Sequence, residues 1–405
     1  MRPALAIIAC VAALSATTVS ALNNGLAKTP PMGWSSWNTF ECDISETLIH
    51  QIADTMVSSG LAKAGFQYIN LDDCWMSGRD PTTGRLVPDA TKFPSGMSAL
   101  SEYIHSKGLK FGMYVSAGDI TCMGFAGTKG HEQIDAETLA EWNVDYLKMD
   151  CCNQTDLVEA HGVYVAMSDA LLSTRHDILF SCDTDELLMR MNNHEAPWDW
   201  APGRCNVARI WLDIKDNWPN LMDIVDHASN VMYASGPGYW NDLDILTVGM
   251  GGQTDAQYRS HFSLWCLLGS PLLLGNDIRN MTLATLNILT ATEVIAVSQD
   301  PLAIAGERIR TSIDGTMQVF ARPVEGPPGT AAVVLFNRAA VAQNVTFDFY
   351  NDLYQNNFCC PPRTPAITVA VRDLWQRQDL GTAVNTTSFV IPAHDVVMVK
   401  LTPIA

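Results

Sequence analysis

The chain has 405 residues, 47% of them hydrophobic, which is enough for one large core and a smaller second domain. Its 43 Asp and Glu outnumber 25 Lys and Arg, giving a formal net charge of −18. That surface repels phosphate backbones and argues against nucleic acid as a partner, while it suits a soluble protein in mildly acidic surroundings.

The first 21 residues have the pattern of a signal peptide. Arg2 supplies a positive start, an apolar run covers 5–14, and Val19-Ser-Ala21 is a small-residue cleavage site. The run is too short to anchor in a membrane, and no later stretch of about 20 apolar residues offers one, so no membrane partner is expected. A secretory route, whether to the outside, a lysosome or a vacuole, makes the cysteines readable as disulfides. It also makes Asn153, Asn280, Asn344 and Asn385, each in an Asn-x-Thr sequon, candidate glycan acceptors.

From about residue 30 to about 300, short apolar runs alternate with helical patterns. Strands are expected at 32–37, 68–73, 110–116, 144–150, 178–182, 207–213, 239–246 and 271–274. Eight is the number a closed parallel barrel needs. Between the first two, Ser45 is placed to cap a helix on which Leu48, Ile52 and Met56 recur every four residues, with Gly60 near its end. Another helix is expected to start near Asp135, carry Leu139 and Trp142, and lead into the fourth strand. After Gln299-Asp-Pro301 the texture changes to short alternating runs at 317–321, 332–336, 367–371 and 396–401, set between Gly, Pro and Asn clusters. The expected organisation is a leader at 1–21, an α/β domain built as a (β/α)8 TIM barrel over 22–304, and a C-terminal antiparallel β-sandwich over 305–405.

Seven acids fall at expected strand ends: Asp72, Asp73, Asp150, Asp183, Asp213, Asp242 and Asp244. All strand C-termini of such a barrel meet at one mouth, so these acids would share a cleft. Clustered carboxylates repel, and a protein keeps them to bind polyhydroxyl ligands, hold a metal or do acid–base work. Hydrolysis of a glycoside with retention needs one carboxylate as nucleophile and a second as general acid and then base. A sugar ring also needs an aromatic platform. Trp34, Trp37 and Trp75, beside the first two strand ends, are candidates for that platform or for ordinary barrel packing.

Five motifs then occur in order: Met32-Gly-Trp-Ser-Ser-Trp37, Leu71-Asp-Asp-Cys-Trp75, Tyr146-Leu-Lys-Met-Asp150, Gly236-Pro-Gly-Tyr-Trp-Asn-Asp242 and Gln299-Asp-Pro-Leu302. Together they resemble the α-galactosidases and α-N-acetylgalactosaminidases of glycoside hydrolase family 27, across nearly the whole mature chain. The resemblance implies that Asp150 is the nucleophile and Asp213, in Arg209-Ile-Trp-Leu-Asp213, the general acid/base. It implies that Asp72 and Asp73 hold the 4- and 6-hydroxyls of galactose, that Lys148 and Arg209 contact substrate beside the two catalytic acids, and that Asp244 faces the 2-hydroxyl side. Trp37 would lie under the ring. The implied disulfides are Cys42–Cys74, Cys122–Cys152 and Cys182–Cys205, with Cys122 and Cys152 counted among the substrate contacts. Cys266 fits a buried thiol in an apolar helix, and the pairing of Cys151, Cys359 and Cys360 stays open.

The chain departs from the family at Asn241-Asp-Leu-Asp244, where Asn-Asp-Pro-Asp is usual, and at Ile245, where Met is. A larger departure is Cys182-Asp-Thr-Asp-Glu186, in the loop that sets selectivity at the 2-position. Asp183, followed by Glu186 and Leu187, suits a free 2-hydroxyl better than an acetamide, so α-galactosides are the expected substrates. The runners-up are α-N-acetylgalactosaminidase and β-L-arabinopyranosidase on the same scaffold. A different class of reading is a carbohydrate-binding protein without catalysis, which the two Asp at the catalytic positions disfavour. No cofactor is expected. No catalytic metal is either, since none of the nine histidines stands in a His-x3-His pairing beside these acids. A homodimer is compatible with the sequence, which carries no readable oligomerisation signal.

Overall fold

The computed structural model describes residues 22, 24–153, 157–184, 196–354 and 366–404. The leader, Cys359, Cys360 and the loop residues Glu186 and Leu187 lie outside them. Eight short strands alternate with helices: β1 (Met32–Ser35), β2 (Tyr68–Asn70), β3 (Lys110–Ser116), β4 (Tyr146–Asp150), β5 (Leu179–Cys182), β6 (Val207–Arg209), β7 (Trp240–Asp242) and β8 (Leu272–Leu274). Each overlaps an expected strand. All are parallel in the order β8-β1-β2-β3-β4-β5-β6-β7. A parallel bridge between Leu246 and Leu274 closes the ring. Gly33 lets β1 lie against β2, since a Cβ there would stand 2.5 Å from the Tyr68 carbonyl oxygen. Tyr68, Tyr146, Leu179, Val207, Ile245 and Leu273 fill the barrel axis, so the interior is a packed floor.

Four strands end earlier than the apolar runs suggest, the first at Ser35 and the second at Asn70. The sixth stops at Arg209 and leaves Asp213 in the following loop; the seventh stops at Asp242. Asp244 then takes a left-handed φ of 82°, which breaks the ladder, and its Oδ1 accepts the N–H of Ile245 at 2.6 Å.

The first crossover helix, Glu46–Ser58, is capped as its sequence suggests: Ser45 Oγ accepts the N–H of Leu48 at 3.2 Å. Leu48, Ile49, Ile52, Ala53 and Met56 make its buried face. The helix before β4 runs Glu132–Glu141, so it starts before Asp135 and ends before Trp142. Asp135 is instead a buried partner of Arg79, with two 2.6 Å contacts, on a hairpin (Met76–Arg79 with Leu86–Pro88) that the sequence reading did not anticipate.

Beyond residue 306 the chain forms antiparallel strands: β9 (Glu307–Thr311), β10 (Met317–Pro323), β11 (Ala331–Asn337), β12 (Gln343–Asp348), β13 (Thr368–Asp373), β14 (Gln378–Val384), β15 (Thr386–Ile391) and β16 (Val396–Pro403). Six pair in the order β9-β10-β11-β16-β13-β14, and β12 with β15 forms a second layer. The strand β11 is buried throughout because both its faces are covered. Ala331, Val333 and Leu335 join the core between the two layers, with Val345, Phe347 and Ile391. Ala332, Val334 and Phe336 belong to the large core that the barrel helices share. The sandwich is thus welded to the barrel by the outer face of its main sheet.

Candidate active site

The parallel strands deliver their last residues to one end of the ring, and a cavity of about 580 Å³ opens there. Asp72 and Asp73 follow β2, Asp150 ends β4, Asp183 follows β5, Arg209 ends β6, and Asp244 follows β7. These, with Trp37, Cys122, Lys148, Cys152 and Asp213, all line the cavity. Every site residue expected from the sequence therefore reaches one space. Asp242 is the exception among the seven strand-end acids. It lies below, on a smaller chamber of about 30 Å³ shared with Ser35, Asn70, Tyr146 and Ser181.

Two cations hold this acidic cluster together. Lys148 Nζ stands 3.1 Å from Asp72 Oδ2, 3.4 Å from Asp183 Oδ2 and 3.6 Å from Asp150 Oδ2. Arg209 reaches Asp183 Oδ2 at 3.2 Å through Nη1, and Asp213 Oδ1 at 2.9 Å and Asp244 Oδ2 at 3.1 Å through Nη2. Burial by itself would lower Lys148, but Asp72, Asp150 and Asp183 outweigh it and hold the ammonium well above its usual range. Asp150 is pushed up to about 7, first by burial and then by Asp183, with Lys148 pulling the other way. Burial likewise raises Asp73 and Asp244.

Backbone donors orient the acids. Asp150 Oδ1 accepts from Cys151 N at 2.8 Å, and Asp73 from Cys74 N at 2.6 Å and Met123 N at 3.0 Å. Met123 lies on the loop tied by the Cys122–Cys152 disulfide; Cys42–Cys74 and Cys182–Cys205 are bonded too. All three bonds brace the mouth, while Cys151 and Cys266 are buried thiols. Cys122, Asp150 and Cys152 come close enough to suggest a metal site, but the two sulfurs are bonded to each other. Asp183 is buried rather than facing solvent, and its Oδ1 has no hydrogen-bond partner among the described residues.

Of the three tryptophans, Trp37 alone lines the cavity. Trp34 and Trp75 are fully buried core residues whose Nε1 atoms donate to Asn276 O and Tyr114 O, both within 2.9 Å.

A family model described as alpha galactosidase A matches residues 29–300, and one described as alpha galactosidase C-terminal beta sandwich domain matches 314–401. The chain belongs to the α-galactosidase family. A probable alpha-galactosidase of Dictyostelium discoideum is 40% identical over 396 residues, 97% of each chain. The alpha-galactosidase of Cyamopsis tetragonoloba is 43% identical, covering 94% of this chain and 88% of its own. The crystal structure of alpha-galactosidase I from Mortierella vinacea superposes with a TM-score of 0.87 at 36% identity, covering 94% of this chain and 98% of the other. In this α-galactosidase-family chain the cavity also includes residues that the sequence reading missed: Tyr114, Lys215, Asp216, Thr247 and Met250. Tyr114 packs its ring 5.3 Å from Lys148 Nζ and sets its hydroxyl 3.2 Å from Cys122 Sγ. The one available signal was its place in β3, in register with Lys148 on β4. Asp216, in an irregular loop, carried none.

Proposed function

We propose that this chain hydrolyses terminal α-D-galactosides with net retention, Asp150 acting as nucleophile and Asp213 as general acid and then base. The observation that carries the reading is that Asp150 and Asp213 reach one sugar-sized cavity from opposite cations, Lys148 and Arg209, with Asp72, Asp73, Asp183 and Asp244 among the further carboxylates around them. A carboxylate oxygen of Asp150 attacks the anomeric carbon as the bond to the leaving oxygen breaks, and Asp213 gives that oxygen its proton. Water then displaces Asp150 from the same carbon and returns a proton to Asp213. Asp213, largely exposed beside Arg209, is open to the leaving group. Asp72, Asp73 and Lys148 hold hydroxyls on one side of the ring, with Trp37 beneath it. Asp183 and Asp244 accept on the other, with Arg209 donating. The place of Asp183 on the cavity wall supports its role as acceptor for a free 2-hydroxyl, which an acetamide would crowd. Residues 22–304 would carry catalysis and 305–405 the sandwich, after removal of 1–21 on a secretory route. The three disulfides favour that route, and no described helix is long and apolar enough to cross a membrane.

Proton NMR of a nitrophenyl α-galactoside digest should show the α-anomer of galactose first; β-galactose first would overturn retention. The kcat/KM on the α-galactoside should exceed that on the α-N-acetylgalactosaminide by at least about 10², and an equal or reversed preference would transfer the assignment to the amino sugar.

A further inference from the structure

The loop that carries Asp213 has no regular secondary structure between β6 and the helix Trp218–Ala228. The Asp213 carboxylate itself is 75% exposed. A general acid must nevertheless stand within hydrogen-bond reach of the leaving oxygen. Something other than Asp213's own burial has to fix its position.

Three residues further on, Asp216 meets the loop that follows β7. Its Oδ2 accepts the N–H of Gly252 at 2.6 Å and the hydroxyl proton of Tyr258 at 2.8 Å, and its Oδ1 accepts from Gln253 Nε2 at 3.1 Å. The Tyr258 hydroxyl in turn accepts from Gly251 N at 2.6 Å and Gln253 N at 3.3 Å. Tyr258 is buried in the first turns of the helix Asp255–Leu268, which Thr254 and Gln257 cap reciprocally. The two loops touch so closely that a Cβ on Gly252 would stand 2.1 Å from the Asp216 carbonyl oxygen. Nearer β6, Asp244 Oδ2 accepts the N–H of Ile214 at 2.8 Å. The segment is thus pinned on both sides of the cavity rim, and the pin at Asp216 leads to a rigid helix.

We propose that Asp216, clamped by Tyr258, Gly252 and Gln253, is a positioning residue that holds Asp213 at proton-transfer distance from the leaving group. This rests on Asp213 being the acid/base. The consequence is specific. Loosening the clamp costs most where protonation of the leaving oxygen matters most, and little where the leaving group departs without a proton.

The test compares Tyr258→Phe, Asp216→Asn and Gly252→Ala with the parent enzyme on dinitrophenyl α-galactoside and on methyl α-galactoside. Tyr258→Phe keeps the buried ring and removes only the hydroxyl, so it protects the comparison against misfolding, and a melting curve checks this for all three. Expected is a fall in kcat/KM, which reports the glycosylation step apart from the later role of Asp213 as base, of less than about 3-fold on the dinitrophenyl substrate and of about 10–100-fold on the methyl glycoside. A loss equal on both substrates, or no loss on either, would overturn the clamp. Asp213→Gly is run beside them with added azide. Rescue on the dinitrophenyl substrate, giving α-galactosyl azide, upholds the acid/base reading on its own. Its absence, with a normal substrate-dependence in the Asp213 variant, would locate the failure in that reading rather than in the clamp.

Discussion

Asp242 shows how a single carboxyl can couple the site to stability. It is buried under the cluster and pushed up to about 7, first by burial and then by Asp244 and Asp183 against the pull of Arg209. Between about pH 4 and about pH 7 the folded state therefore keeps on Asp242 a proton that the unfolded chain has released. The stabilisation from this group is complete below pH 4 and is lost as pH rises through 7, on the order of 1 kcal/mol per pH unit. The melting temperature should accordingly fall between pH 5 and pH 8. Asp242→Asn, which keeps an acceptor for the Asp244 N–H at 2.8 Å, should flatten that fall when melting is followed across the range. An unchanged slope would mean that Asp242 is ionised throughout.

The barrel helices are built from local signals that tertiary contacts then exploit. Glu46–Ser58 combines an N-cap, an acidic first turn and a clean apolar face, and Glu46 reaches out to Ser95, whose N–H and hydroxyl it accepts at 2.9 and 2.8 Å. Ser45→Ala should cost about 1 kcal/mol in denaturant midpoint while leaving kcat unchanged, since the helix does not line the cavity. The strands behave differently. Their lengths follow the closure of the ring and not the length of the apolar runs, which is why 207–213 and 239–246 shortened to three residues each. That shortening creates the loops on which Asp213 and Asp244 stand.

Barrel and sandwich meet through polar as well as apolar contacts. Arg322, on β10, is fully buried, and among the described residues no carboxylate stands within ion-pair distance of its guanidinium. Its Nη1 donates to Cys266 O at 3.0 Å and its Nη2 to Ser298 O at 3.3 Å. Those carbonyls lie at the C-terminal ends of two helices, Asp255–Leu268 and Thr292–Ser298, so one cation answers two negative helix ends. Burial lowers its pKa to about 10, which still leaves it charged at neutral pH. Around it, Arg372 pairs with Glu293, Arg259 with Asp395, and Arg338 with Asp226. Arg322→Ala should destabilise by roughly 3 kcal/mol, through a cavity and orphaned carbonyls, and both domains should melt together at the lower temperature. Two separated calorimetric transitions would show that the domains are energetically independent. Because the helix Asp255–Leu268 also bears Tyr258, the sandwich braces the element to which the Asp213 loop is clamped.

The eight barrel strands could be read from the chain because each is an apolar run long enough to be buried on both faces, punctuated by helical periodicity. The acids could be read because they close those runs, and a parallel ring has only one place to bring its strand ends. The tryptophans could not be sorted in the same way. Trp34, Trp37 and Trp75 have equivalent sequence surroundings, and which of them faces the cavity depends on where β1 and β2 stop and turn. Nor could β11 be assigned two partners, since a fully apolar strand looks alike whether its second face meets a sheet or a helix layer. Asp216 and Tyr258 are 42 residues apart, in a loop and on a helix that carry no shared motif. Their contact exists because neighbouring strands β6 and β7 place their following loops side by side, and adjacency in a closed ring is a property of folded geometry that no local stretch of sequence encodes.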